Sequence, residues 1–350
     1  MAIYPFLRPM IFTLDAERAH RLTILCLKNA PIDRPPRSPV ALAITVAGLD
    51  FPNPVGLAAG FDKDAEVPQK ILGLGFGFTE VGTLTPFPQS GNPKPRIFRL
   101  TADEAVINRL GFNNGGQQVA AKRLAKRKRT GGIVGINIGA NKDSEDRIGD
   151  YEAGARAMAP LADYLTINIS SPNTPGLRAL QDEGALDALL ERVVAARDDG
   201  TRAGSTRPPI FLKVAPDLES ADIDAISRIA MERSIDALIV GNTTITRPVQ
   251  QSKHANETGG LSGKPLATLA HQRLVDFRKA TGGAMPIIAV GGIDSAEEAW
   301  ARIRAAASLV QLYTALAYHG PGLGRRIVLG LDRLREREGF ASIAEAVGTG

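Results

Sequence analysis

The 350-residue sequence holds a single cysteine, Cys26, so no internal disulfide can form, and a reducing compartment fits. That thiol, close to the N-terminus, reads first as a small buried apolar group. Histidine is nearly as scarce. His20, His254, His271 and His319 show no metal-ligand spacing, and none falls in the strand-end motifs described below, so neither a metal site nor a histidine base is expected. No run reaches the roughly 18–20 consecutive apolar residues of a membrane span. The N-terminus lacks the basic, apolar and small-residue order of a secretory signal, and it is not an Arg- and Ser-rich import leader. A chain made and kept in the cytoplasm is the expectation.

Charge of one sign is also in short supply. The 42 basic and 37 acidic residues leave a formal +5, which suits anionic small molecules or lipid heads and is too little to imply nucleic acid. The densest basic run, Lys122-Arg123 through Lys126-Arg127-Lys128-Arg129, reads first as the wet face of a helix and second as a patch facing lipid phosphates.

What is present is the balance of a soluble globular protein, 44% hydrophobic and 23% charged, at a length that suits one α/β barrel with additions. A core of that size needs no disulfide or metal staple. From Ile3 to about Ala30, apolar residues recur at helical spacing, Leu14, Ala19, Leu22, Leu25 and Leu27 among them. Asp15 suits the cap of the second of two short helices. The proline-rich connector Pro31–Pro39 cannot continue a helix. Residues 1–40 are therefore expected to form a helical extension, 41–340 a barrel domain and 341–350 a tail, with Gly348–Gly350 frayed.

Beyond Ala41, short β-rich runs alternate with helical stretches. Strands are expected at Val55–Ala59, Thr79–Thr83, Ile133–Ile138, Tyr164–Ile169, Ile210–Val214, Ala237–Val240, Ile287–Val290 and Leu309–Leu312. Most are apolar on both faces, as parallel strands covered by helices should be. Eight βα units imply a closed (β/α)8 TIM barrel. The insert Pro86–Asn114, rich in Pro, Gly and Asn, is expected to form a hairpin and loops over the barrel mouth.

Nearly every strand runs straight into polar or glycine residues. These stretches are AAGFDKD (Ala58–Asp64), GTLTP (Gly82–Pro86), NIGANKD (Asn137–Asp143) and NISSPNTPG (Asn168–Gly176), then FLKVAPD with Lys213, GNTT (Gly241–Thr244), GGID (Gly291–Asp294) and Tyr313-Thr314. Functional residues of such barrels collect at this face. Gly291 and Gly292, with Tyr313 and Thr314, suit the usual barrel phosphate site, although a glycine pair also simply permits a tight turn. The GLSG string, Gly260–Gly263, is read as a flexible backbone loop that could reach the same phosphate.

Lys213 stands inside an apolar strand, where a lysine is costly without a partner. It could form a Schiff base, offset charge at the N1/O2 edge of a flavin, or snorkel from a strand end. Asn108, Asn137, Asn168, Asn173 and Asn242 crowd the same rim, and amides complement the edges of a pyrimidine, although Asn is also common in loops. Ser170 and Ser171 remain as candidates for proton removal, and a serine needs a relay for its own proton. The residues alone point to an Asn/Ser/Lys site for a planar heterocycle and a phosphate-bearing cofactor.

The strings AAGFDKDAE, EVGTLTPFPQSGNPKPRIFRL, INRLGFNN, GINIGANKD, NISSPNTPGLR, GNTTITRP, TGGLSGKPL, AVGGIDS and LVQLYTAL, with LDAERAH near the N-terminus, together resemble class 2 dihydroorotate dehydrogenase from about Tyr4 to Leu329. The resemblance implies oxidation of dihydroorotate to orotate on FMN, with a ubiquinone-type quinone as acceptor. It further implies peripheral contact with the cytoplasmic side of the cell membrane through the extra helices, and leans toward a monomer. By motif, Ser171 matches the catalytic base, where the soluble class 1 relatives place cysteine. Lys63, Asn108, Arg109, Leu110, Gly111, Phe112, Asn168, Asn173, Asn242 and Thr243 match substrate positions. Ala59, Gly60, Phe61, Asp62, Lys63, Thr83, Asn137, Asn168, Lys213, Gly241, Gly263, Gly292, Tyr313 and Thr314 match FMN positions.

Arg18, His20, Arg99 and Tyr313 resemble residues near the quinone tunnel, and Thr174–Arg178 resembles a lid. At Gly241 some relatives carry Thr, so only a backbone contact to FMN would be kept there. The alternatives are a soluble class 1 enzyme using fumarate or NAD and a non-catalytic barrel scaffold. The first would carry cysteine at position 171 and lack the helices, and the second should have lost Ser171 or Lys213.

Overall fold

The computed structural model describes residues 4–32, 34–129, 131–201, 206–248 and 251–350. Eight parallel strands close into a barrel: β1 Val55–Asp62, β2 Phe78–Leu84, β3 Ile133–Ile138, β4 Tyr164–Asn168, β5 Ile210–Val214, β6 Ala237–Val240, β7 Ile287–Val290 and β8 Ala307–Leu312. Each strand pairs with the next in sequence, and β8 returns to β1. Four of the eight have the bounds read from the sequence. The largest difference is at β1, which runs on to Asp62 because, after a break in register, Asp62 pairs with Val81.

The barrel interior is filled by side chains that need room from glycines. A Cβ at Gly135 would lie 2.1 Å from the Tyr164 ring, so this position must be glycine for Tyr164 to stack on Phe211, with ring centroids 4.4 Å apart. A short antiparallel hairpin, Ile44–Val46 with Leu49–Phe51, precedes β1 and was not foreseen. Its Phe51 meets Phe78 edge-on.

The insert after β2 does form a hairpin, Ile97–Leu100 with Ala105–Asn108. GLSG, read as a flexible loop, is instead a third strand, Gly260–Gly263, antiparallel to Ala105–Asn108. Its glycines hid the strand, and they serve close approach: a Cβ at Gly260 would collide with the Thr243 side chain. Phe98, Leu100, Ala105, Ile107 and Leu261 give this sheet a small core of its own.

Helices α1 (Tyr4–Thr13) and α2 (Ala16–Asn29) form the extension, and Asp15 caps α2 by accepting from the backbone of Glu17 and Arg18. Ile3, the first residue of the stretch read as helical, lies outside the described residues, as does Asp33 in the proline connector. Helix α1 buries no residue, and α2 buries Ala19, Ile24 and Leu27. The basic run is helical only as far as Leu124, with Lys122 and Arg123 exposed as expected. Arg127 turns inward to a bidentate pair with Asp163.

The last residues do not fray. Ile343 and Ala346 are fully buried, and the backbone of Gly348 and Gly350 donates to Ile303 and Arg304 carbonyls. The apolar pair docks a final turn that a glycine-rich ending concealed.

Candidate active site

A cavity of about 590 Å³ opens at the C-terminal ends of the barrel strands and continues between α1 and α2. Its barrel side is polar and its helical side apolar, with Ile11, Phe12, Ala16, Ala19, Leu22 and Leu27 on the latter wall. The hairpin of the insert roofs it, through Val106, Asn108 and Leu110–Asn113.

Most residues singled out in the sequence meet here. Ala59, Gly60, Phe61, Lys63, Thr83, Asn108, Leu110, Gly111, Phe112, Asn168, Ser171, Asn173, Lys213, Asn242, Thr243, Gly263, Gly292, Tyr313 and Thr314 all line the cavity. So do His20 and Arg99 on the helical side. Arg109, Asp62, Asn137, Gly241 and Arg18 do not. Arg109 turns outward to Glu257 and Thr258 and stacks on Phe98. Arg18 faces a separate, smaller recess beside Glu17 and Arg21.

The Asp62 carboxylate turns back to hold the backbone N–H groups of Glu66 and Val67, and burial raises it to about 6. Asn137 lies one layer deeper, fully buried behind Thr83. Gly241 takes a φ of +116°, and a Cβ there would sit 2.3 Å from the Val290 carbonyl oxygen. This chain therefore needs glycine at that point, and only its backbone can face a ligand.

The two serines divide. Ser170 is fully buried, donates to Asn168 Oδ1 at 2.8 Å and accepts from Asn242 Nδ2 at 2.7 Å. Ser171 faces the cavity, and its Oγ accepts only the Asn173 backbone N–H, at 3.2 Å. Among the described residues no histidine or carboxylate bonds to Ser171. Asn173 Nδ2 reaches Asn108 Oδ1 across the mouth at 3.3 Å. The Thr174–Arg178 stretch is pinned over the rim, since Arg178 binds the Ser170 and Thr243 carbonyls and Asp217.

Two lysines supply positive charge. Lys63 donates to the Gly60 carbonyl at 2.7 Å, and burial pulls it down to about 8 against the opposing pull of Glu17 and Asp64. Burial also lowers Lys213, with the charge of Glu80 opposing. No hydrogen bond or ion pair reaches Lys213 Nζ among the described residues, although the side chain is 4% exposed. Near the helices, burial and then Lys63 push His20 down to about 3, so the ring is neutral at ordinary pH. It stands 3.4 Å from the Tyr313 hydroxyl and edge-on to Phe61.

Residues 41–334 match the family model described as dihydroorotate dehydrogenase. The chain belongs to the dihydroorotate dehydrogenase family. It is 61% identical to the dihydroorotate dehydrogenase (quinone) of Erythrobacter litoralis, over 99% of both chains. With the enzyme of the same name from Novosphingobium aromaticivorans it shares 62% identity, over the whole of both chains. Among solved structures, DHODH from Eimeria tenella in complex with ferulenol superposes with a TM-score of 0.91 at 40% identity, covering 96% of this chain and 95% of that one.

Two features of this dihydroorotate dehydrogenase site escaped the sequence reading. Glu80 is a carboxylate sealed inside the barrel, and its signal was a charge within the apolar run FTEVGTL of β2. Glu104, Asp294 and His319 also converge at one end of the cavity, with ligand atoms within 4.8 Å of one another. No spacing in the sequence announces that group, and Glu104 already faces Lys264 Nζ and His319 Nε2, each at 3.9 Å.

Proposed function

We propose that this chain oxidises dihydroorotate to orotate in pyrimidine biosynthesis, with FMN as cofactor and a membrane quinone as electron acceptor. One observation carries the reading. A single cavity joins an Asn/Ser/Lys mouth, suited to a charged heterocycle, to an apolar passage between two helices. Family membership and two relatives named for quinone stand behind it.

The residues present fit FMN. Lys213 brings an amine to the cavity with no ion pair among the described residues, which suits an anionic flavin edge. Thr243 Oγ1 is buried with no partner among the described residues, and a ligand in the cavity would supply one. Backbone of Gly263, Gly292 and Thr314 lies open at the end where a phosphate would rest. FMN supplies the acceptor for the hydride that leaves C6 of dihydroorotate.

The chain's own groups do the rest. Lys63 and the amides of Asn108, Asn173 and Asn242 hold the ring and its carboxylate. Ser171 Oγ passes its own hydroxyl proton to water as it takes the proton from C5, since no basic side chain among the described residues bonds to it. Arg178 keeps the Thr174–Arg178 stretch shut over that reaction and excludes bulk water. On the other side, the apolar passage admits the ring and tail of a ubiquinone-type quinone. His20, Tyr313 and Arg99 stand along it.

No helix among the described residues is long and apolar enough to cross a membrane. Phe6, Leu7 and Met10 on α1 are exposed and form an apolar face for peripheral attachment at the cytoplasmic side of the membrane. In this reading residues 1–40 are the quinone-access extension and 41–340 the catalytic barrel, acting as a monomer without nucleic acid or metal.

The test is anaerobic. Bound yellow flavin should bleach on adding dihydroorotate and recover with a soluble quinone but not with fumarate or NAD. Recovery with fumarate or NAD alone would move the chain to the soluble class. Purified protein that neither holds nor takes up FMN would sink the enzyme reading.

A further inference from the structure

Beneath the cavity floor lies a carboxylate that the proposed reaction does not use. Glu80, on β2, is 0% exposed and accepts four hydrogen bonds. The donors are Asn137 Nδ2 at 2.6 Å, Gln311 Nε2 at 3.0 Å, Thr166 Oγ1 at 3.1 Å and the Tyr164 hydroxyl at 3.2 Å. They come from β3, β4 and β8, so the strands converge on one buried anion. A full shell of donors is how a barrel can tolerate such a group.

Because a carboxylate only accepts, it decides which way Asn137 points. With Nδ2 turned to Glu80, Asn137 Oδ1 faces the cavity side, where it accepts from Thr83 Oγ1 at 2.6 Å and Asn168 Nδ2 at 3.1 Å. Asn168 Oδ1 must then accept, and it does so from the Ser170 hydroxyl. Ser170 Oγ in turn accepts from Asn242 Nδ2, which leaves Asn242 Oδ1 for the Thr243 N–H. Every donor in this series points back toward Glu80. Asn168 and Asn242 line the cavity, whereas Glu80, Asn137 and Ser170 do not. Lys213 stands in register beside Asn168, whose Nδ2 bonds the Asn137 that Glu80 holds, and the field of Glu80 opposes the burial of that lysine.

We infer that Glu80 is a positioning residue: its buried carboxylate fixes, through Asn137 and Ser170, the amide directions that face flavin and substrate, and it supplies the negative charge that balances Lys213. This inference rests on the functional reading above. A glutamine at position 80 could donate as well as accept, so Asn137 could turn over and the order of the series would be lost. It would also leave the Lys213 charge unbalanced and favour a more negative, reduced flavin.

The experiment compares wild type, Glu80→Gln and Ser170→Ala, each loaded with FMN, by the reduction potential of the bound flavin and by equilibrium titration with orotate. In Glu80→Gln the two-electron equilibrium should move at least tenfold toward reduction, about 30 mV, and orotate should bind at least tenfold more weakly. Ser170→Ala interrupts the series without touching the charge, so orotate should weaken while the potential stays at the wild-type value. A merely structural Glu80 would lower thermal stability and move neither readout. Wild-type potential and orotate affinity in both variants would overturn the inference while leaving the reaction intact. Should Glu80→Gln fail to fold, Ser170→Ala decides alone: unchanged orotate affinity refutes the series. Wild-type protein that takes up no flavin would instead refute the functional reading itself.

Discussion

Every residue of β4 is buried, whereas α1 buries none of its ten, yet barrel and helices line one cavity. The barrel wall is made rigid by apolar layers and a sealed hydrogen-bond network. The helical wall contributes little core, with Ala19, Ile24 and Leu27 of α2 buried at a few per cent exposure. Polar clamps hold it instead. Glu17 grips Arg96 in a bidentate pair, Arg99 binds the Phe12 and Leu14 carbonyls, and Glu66 takes both Arg21 and Lys28. Proton and hydride transfer need atoms fixed to fractions of an ångström, and the barrel supplies that. A bulky apolar acceptor needs a wall that can part, and a helix pair tethered by side chains can do so at little cost in core burial.

The comparison breaks most sharply if chemistry fails on the rigid side alone. Ser171→Ala should slow flavin bleaching by dihydroorotate about 10²–10⁴-fold, with the melting temperature and quinone KM unchanged, as stopped-flow and thermal scans would show. Equal loss in quinone KM would mean that the two walls are not separable. On the helical side, Glu17→Ala leaves Arg96, whose side chain is 6% exposed, without its carboxylate. The expected cost is about 1–3 kcal/mol, read as a raised quinone KM with dihydroorotate bleaching preserved.

A smaller effect belongs to the exposed face of α1. Replacing Phe6 and Met10 by serine should weaken vesicle binding about tenfold, while the melting temperature holds, because these side chains are 84% and 66% exposed. Vesicle co-sedimentation of the folded variant checks it, and unchanged binding would assign attachment to another surface.

The gentlest prediction concerns pH. Burial brings Lys63 from 10.5 to about 8, so the amine is charged below pH 8 and neutral above it. Orotate affinity should therefore fall as pH rises through 8, by no more than about tenfold per pH unit, and the inflection should vanish in Lys63→Met. The same depression opposes folding while the amine is charged. Stability linked to Lys63 is thus absent below pH 8 and is regained between 8 and 10.5. Affinity that is flat from pH 7 to 9 would show that Lys63 does not meet the anion.

Much of the barrel was legible because its strands are apolar on both faces and bounded by glycine or asparagine. Strands built for close approach were not: GLSG has the composition of a loop, and only the partner strand Ala105–Asn108 makes it a strand. Lys213 stood out as a charge in an apolar run, and the same argument applied to Glu80 would have found the buried network. Neither direction nor depth is written in a motif, so Asn137 and Asp62 match a ligand-facing pattern while their side chains turn to Glu80 and to the backbone of Glu66. Ser170 and Ser171 differ by one position, and the strand end alone decides which faces the cavity.

The hairpin Ile97–Leu100 with Ala105–Asn108 carries both the helix clamp, through Arg99 and the adjacent Arg96, and the cavity-lining Asn108, which pairs directly across from Ile97. Two doorways thus hang from one lintel. A molecule wedged beneath α1 and α2 leans on the same beam that frames the pyrimidine side. Medicinal chemistry directed at the outer doorway can then be scored at the inner one, by watching how orotate leaves.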